Sequence, residues 1–283
     1  MGIIDAMPPA SSPSPRLLLV PSFTELEWGI RGSLEDWAEV ATFDAPGIGD
    51  TGLPFEVQLD PGLGSELLAR WREATAQTGL DEVDRRGWER FVIVADSWGS
   101  ATAVRIARLR HQAVQGVAIG HAALSHSTEG ERAPERAGVL DAMIQLGRQG
   151  NEAFVRYGIA QMTRGGVDEA TAEKMVERFP DMELVTATLE ALREEPEPIG
   201  DELKEIDAPL LFAKHEGCLG STDEGFEDIV KAFPEAETVI CPEMCASSPT
   251  FADALRQFCE RIAAEKTSTG LSGAPGDAAR KGV

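Results

Sequence analysis

Positive charge is scarce in this chain. It holds 26 Lys and Arg against 48 Asp and Glu, a formal net charge of −22 over 283 residues. A field of that sign repels phosphate backbones and anionic lipid, so neither nucleic acid nor a membrane surface is an expected partner. Long apolar runs are missing as well, and nothing approaches the roughly 20 residues that a membrane-spanning helix needs. The opening MGIIDAMPPASSPSP lacks the basic start and apolar run of a secretion signal, so the expected location is cytoplasmic. Cysteine is sparse: Cys218, Cys241, Cys245 and Cys259 all fall in the last quarter of the chain. In a reducing compartment they are expected as free thiols. Histidine is limited to four residues, which restricts where imidazole chemistry can take place.

What is present is ordinary globular composition, with 42% hydrophobic and 26% charged residues, which excludes a disordered chain and a small disulfide scaffold. Residues 1–15 and 265–283 are rich in Ser, Pro, Gly and Ala and read as disordered tails, having too few large side chains to bury. Between them, short apolar runs at 16–20, 40–43, 91–95, 117–120, 210–213 and 238–241 alternate with helical segments at about 64–78, 100–110, 224–232 and 249–264. That alternation predicts an α/β fold, a mainly parallel central sheet of about six strands with helices on both faces. The stretch 125–206 breaks the pattern. It reads as four or five helices separated by Gly and Pro signals, a helical cap inserted between core segments 16–124 and 207–264.

The richest stretch is Phe91-Val92-Ile93-Val94-Ala95-Asp96-Ser97-Trp98-Gly99-Ser100. A buried strand here runs into a helix start with a serine at the corner, and small residues stand two before it (Ala95) and two after it (Gly99). A sharp strand-to-helix turn needs such small neighbours, and it lifts the serine hydroxyl above the sheet beside the positive end of the helix. A strand followed by a helix with an ordinary serine cap is the plainer alternative.

Two further segments accompany it: Pro21-Ser22-Phe23 after the first strand, and Asp44-Ala45-Pro46-Gly47-Ile48-Gly49-Asp50 after the second. Together these motifs resemble the α/β-hydrolase superfamily over about residues 16–264. The resemblance implies the α/β-hydrolase fold, Ser97 as nucleophile, and the backbone N–H groups of Phe23 and Trp98 as oxyanion donors, with Ser22 in the donor loop. It also implies an acid after the strand at 210–213 and a histidine after the strand ending at Cys241. The chain departs from the pattern at both places. The first offers Lys214-His215-Glu216-Gly217-Cys218, with Cys218 nearest the acid position. The second offers Pro242-Glu243-Met244-Cys245-Ala246-Ser247-Ser248, with no histidine.

An imidazole must then come from elsewhere, because a serine without a base is a poor nucleophile at neutral pH. His121 and His215 both follow predicted strands at the edge where open α/β sheets bind ligands, and one of the two is expected to act, with Asp96 or Glu216 as the orienting carboxylate. A structural strand-end histidine is the alternative for each. His111 and His126 carry no assigned role. Cys218 and Cys245 read first as free thiols, second as a disulfide, and third as soft-metal ligands through His215-x2-Cys218 and Cys241-x3-Cys245, so neither a metal nor a cofactor is expected.

The functional expectation is a hydrolase, or a related acyl-transfer or lyase-type enzyme, using Ser97 on a small apolar ester, lactone or carbonyl compound. The alternative is a catalytically degenerate relative that binds or orients a small molecule.

Overall fold

The computed structural model describes residues 14–23, 25–53, 65–121, 133–164, 168–178, 182–194, 200–216 and 223–271. Six strands, β1 (Arg16–Val20), β2 (Glu39–Thr42), β3 (Phe91–Asp96), β4 (Val114–Gly120), β5 (Leu210–His215) and β6 (Glu237–Cys241), form one sheet in the order β2-β1-β3-β4-β5-β6. Every neighbouring pair is parallel. Parallel strands need crossovers, and these are supplied by α1 (Arg31–Glu35), α2 (Ser65–Arg85), α3 (Gly99–Leu109), the helices between β4 and β5, and α9 (Asp223–Ala232), with α10 (Pro249–Leu271) following β6. The predicted six-stranded parallel architecture is what the structure has.

The central strands read as unbroken apolar runs because both faces are covered. Successive side chains alternate between two cores. Leu18, Val20, Phe91, Ile93 and Ala95 join Ala76, Leu80, Val104 and Ile106 of α2 and α3. Leu17, Leu19, Val92 and Val94 join Leu34 of α1 and Phe251, Leu255, Phe258 and Ile262 of α10 on the other side.

Five helices, α4 (Ala133–Gln149), α5 (Asn151–Arg164), α6 (Glu169–Glu177), α7 (Met182–Glu194) and α8 (Gly200–Lys204), lie between β4 and β5. They hold no strand among the described residues. A third apolar cluster seats this helical layer on the core: Ile144, Leu184, Val185, Leu189 and Ala191 meet Phe23, Ala45, Ile48, Leu67, Leu68 and Trp71. Polar contacts add to it. Arg178, just past α6, pairs with the buried Asp44, and its carbonyl accepts the Gly49 N–H at 2.7 Å.

Two local differences from the sequence reading have simple causes. The five-residue α1 is too short to show a helical period, so the sequence does not announce it. The final helix runs past Ala264 to Leu271, where the sequence suggests a tail; Ala263-Ala264-Glu265-Lys266 are all good helix formers and propagate a helix already nucleated by its packed first turns. No helix among the described residues is long and apolar enough to cross a membrane.

Candidate active site

Ser97 stands where β3 gives way to α3, with φ at +49°. A left-handed backbone at a residue with a Cβ costs about 1–3 kcal/mol and is held here by its surroundings. The Ser97 N–H donates to Gly120 O at 3.1 Å, and the Ser97 carbonyl accepts the Ser100 N–H at 3.1 Å and the Ser100 hydroxyl at 2.6 Å. The side of the turn toward β1 is tight. A Cβ on Gly99 would lie 2.6 Å from Val20 O, a backbone atom that cannot give way, so glycine is required. Ser97 is exposed while the strand that carries it is fully buried, so the corner lifts the residue out of the sheet.

The next strand does the same thing one step over. Asp96 pairs with Gly120 in the β3–β4 register, so the residues that follow, Ser97 and His121, are the corresponding next positions on adjacent strands. His121 also has a positive φ, +48°. Its Nδ1 lies 2.6 Å from Asp96 Oδ1, and both side chains are about nine-tenths buried. A short contact of this kind to a carboxylate fixes the ring and stabilises the protonated imidazole. Of the two carboxylates weighed for this role, Asp96 meets His121, while Glu216 is exposed and its backbone N–H donates to Cys241 O at 2.9 Å. His215, at the end of β5, sets its ring edge-on to that of His121 with centroids 4.4 Å apart.

The expected oxyanion donors divide. Among the described residues the Trp98 N–H meets no acceptor. The Phe23 N–H, expected to stand open to a ligand, instead donates to Glu27 Oε1 at 2.8 Å, and the Ser22 N–H donates to Glu27 Oε2 at 2.7 Å. A carboxylate therefore fills the amide pair that the sequence reading leaves for a substrate oxygen. The cause is local. A 3-10 turn at Glu25–Glu27 folds the loop back onto its own start, and two adjacent N–H groups make a natural carboxylate cradle. The Ser22 hydroxyl donates to Asp96 O at 3.2 Å, tying this loop to the end of β3. Sequence reasoning misses Glu27. Its closeness to the end of β1 is the one signal that could mark it as an acid near the site, and no periodicity reveals its orientation.

At the two places where the resemblance implies an acid and a histidine, Cys218 lies outside the described residues. Cys245 opens a 3-10 turn after β6 and is wholly buried. It does not sit apart as a spectator thiol: one ligating atom each of Asp96, His121 and Cys245 fall within 4.8 Å of one another. Cys245 donates to Cys241, which, together with burial and the nearby Asp96 carboxylate, pushes the Cys245 thiol well above its ordinary range and draws the Cys241 thiol downward. The adjacent Ala246 is buried, and its carbonyl accepts the Ile30 N–H at 3.1 Å.

No protein-family model matches the chain, and no curated protein matches it in sequence. Solved structures do match in fold. An enol-lactonase from Burkholderia xenovorans LB400 superposes with a TM-score of 0.63 at 18% identity, over 89% of this chain and 92% of its own. A thermophilic esterase from Thermogutta terrifontis, bound to malate, gives 0.63 at 18%, over 88% and 91%. A hydrolase from Oleispira antarctica gives 0.68 at 12%, over 88% and 92%. With its sheet order and its strand-to-helix serine corner, this chain has the α/β-hydrolase fold.

Proposed function

We propose that the protein is an acyl hydrolase acting on a small ester or lactone, with Ser97 as nucleophile, His121 as general base and Asp96 as the residue that orients it. The observation that carries this reading is the 2.6 Å contact between Asp96 Oδ1 and His121 Nδ1, made one strand away from the serine corner. A carboxylate on one ring nitrogen turns the other into the basic face, and stabilises the imidazolium formed when the serine gives up its proton. The chain order of the constellation is then Asp96, Ser97, His121, a compact arrangement in which acid and nucleophile are sequence neighbours. The names of the structural neighbours, an enol-lactonase, esterases and a thioesterase domain, support an ester-like carbonyl as the substrate class. Phe23 and Trp98, whose rings meet edge-on at 5.2 Å beneath the cap helices, supply an apolar wall beside the corner.

Oxyanion stabilisation in this reading rests first on the Trp98 N–H. The Glu27 carboxylate on the Ser22 and Phe23 amides withholds the second donor until it moves, so turnover of unselected esters is low. The same carboxylate favours a second reading, a small-molecule binding protein in which Ser97 does no chemistry. The two are separated by a p-nitrophenyl ester assay run beside a fluorophosphonate probe. Slow turnover that disappears in Ser97→Ala, with one probe adduct at Ser97, supports the hydrolase. Saturable thermal stabilisation by ligands without turnover or adduct supports the binder.

A further inference from the structure

Cys245 and His215 have no part in the proposed hydrolysis, yet Cys245 closes on the Asp96–His121 pair and His215 sets its ring against that of His121. From that arrangement we infer that Asp96, His121, Cys245 and His215 form a binding site for a borderline-soft divalent transition-metal ion, Zn²⁺ in the first place.

Four observations carry the inference. The ligating atoms of Asp96, His121 and Cys245 lie within 4.8 Å of one another, and all three residues are buried. The backbone is shaped to allow this approach: a Cβ on Gly120 would lie 2.6 Å from Asp96 Oδ1 and 2.8 Å from Cys245 Cβ, so glycine keeps open the gap between carboxylate and thiol. His215 brings a second imidazole edge-on to His121 at 4.4 Å. Its Nδ1 is buried and meets no hydrogen-bond partner among the described residues. A buried ring nitrogen left without a partner is costly, and a metal ion is one of the few groups that can satisfy it alongside a thiol and a carboxylate.

The donor set is one carboxylate oxygen, two imidazole nitrogens and one sulfur, drawn from three strand ends and a turn. Zinc takes such mixed sets tetrahedrally, with Zn–N about 2.0–2.1 Å and Zn–S about 2.3 Å, which sets neighbouring ligand atoms about 3.3–3.6 Å apart. Closing the cluster around an ion therefore contracts its outer spacing and parts the Asp96–His121 contact by about 0.7 Å, well within side-chain freedom. Binding replaces the Cys245 thiol proton, which is released to solvent, and both imidazoles bind as the neutral base, so any proton carried by an imidazolium is released with it. The set differs from the one suggested by spacing, since Cys241 is not among the residues whose ligating atoms come together.

The ion site goes beyond the hydrolase reading and does not depend on it. An ion held here takes the His121 imidazole out of base work, so occupancy and ester turnover exclude each other. The test titrates Co²⁺ into the full chain in a non-chelating buffer. The expected result is one ion per chain, a thiolate-to-cobalt charge-transfer band in the near ultraviolet, intense visible bands of a tetrahedral centre, and displacement of both by Zn²⁺. Cys245→Ser abolishes the charge-transfer band, Cys241→Ser keeps it, and His215→Ala weakens Co²⁺ binding about tenfold or more. Absence of the band in the parent chain, or its survival in Cys245→Ser, overturns the site. Unchanged affinity in His215→Ala overturns the four-ligand set. Where ester turnover is measurable, Zn²⁺ suppresses it and EDTA restores it. Absence of turnover counts against the hydrolase reading alone, because the cobalt spectrum is read without substrate.

Discussion

The two halves of the sheet edge make a useful contrast. At the ends of β3 and β4 the chain concentrates strain and charge: two residues with positive φ, Ser97 and His121, and a buried Asp96 held to an imidazole. At the ends of β5 and β6, where the resemblance would place the acid and the histidine, it offers a buried Lys214 paired with Asp223 and the two hydrogen-bonded thiols Cys241 and Cys245. Left-handed backbone at residues with side chains persists only where the surroundings enforce it, and such positions cluster at sites that do something. The contrast teaches that left-handed backbone and a carboxylate–imidazole pair gather at one pair of strand ends and, among the described residues, not at the other. Under the proposed assignment, the acid–base pair is drawn instead from the strand that carries the nucleophile and its neighbour.

The contrast can be broken most decisively by substitution at each half. Ser97→Ala is expected to lower ester turnover about 10³-fold or more, and His121→Ala about 10²–10⁴-fold, measured as kcat/KM on a p-nitrophenyl ester. Glu243→Gln, in the loop after β6 where its carboxylate accepts the Ser248 hydroxyl at 3.0 Å, is expected to change turnover less than about threefold. The reverse ranking would return the chemistry to the β6 loop.

A second test compares the site with the packed core beneath it. Phe258→Ala removes a fully buried ring from the α10 side of the sheet and is expected to cost about 3–5 kcal/mol of stability by denaturant unfolding. Ser97→Ala is expected to leave stability within about 1 kcal/mol, since the serine side chain is exposed and the backbone strain stays.

A third sharpens the role of the loop after β1. Glu27→Ala empties the cradle formed by the Ser22 and Phe23 N–H groups and is expected to raise turnover about tenfold, because a carboxylate is replaced by two donors at the place where an oxyanion would form. Unchanged or lower turnover would mean that those amides take no part.

The smallest effect concerns reactivity. Burial, with the neighbouring Glu260, pushes the Cys259 thiol up to about 12. The thiolate is the reactive form, so at pH 8 Cys259 is expected to resist alkylation by iodoacetamide in the native chain and to react on unfolding, as read by peptide mass spectrometry.

The sheet is legible in the sequence because each central strand is buried on both faces, so Leu17-Leu18-Leu19-Val20 and Phe91-Val92-Ile93-Val94 stand out as apolar runs that no exposed segment would tolerate. The serine corner is legible because its geometry restricts residue size at Ala95 and Gly99. The helices between β4 and β5 show in the sequence as a stretch without strand-like runs. The partnership of Asp96 with His121 is only one of four pairings that the sequence offers, because it depends on strand register, and register is fixed by packing that sequence spacing does not display. Glu27 escapes notice for a related reason: nothing in Pro21-Ser22-Phe23-Thr24-Glu25-Leu26-Glu27 distinguishes a carboxylate turned back on the loop from one facing water. The approach of Cys245 to β4 is not displayed in the sequence either, because it depends on the missing side chain of Gly120.

The most direct measurement of whether His121 activates Ser97 is the rate and site of adduct formation by a fluorophosphonate probe on the native chain, read by peptide mass spectrometry in parent and His121→Ala proteins. A single adduct at Ser97 is predicted, formed about 10²-fold or more slowly when His121 is replaced. No adduct, an adduct at another residue, or an equal rate in the two proteins would contradict that role.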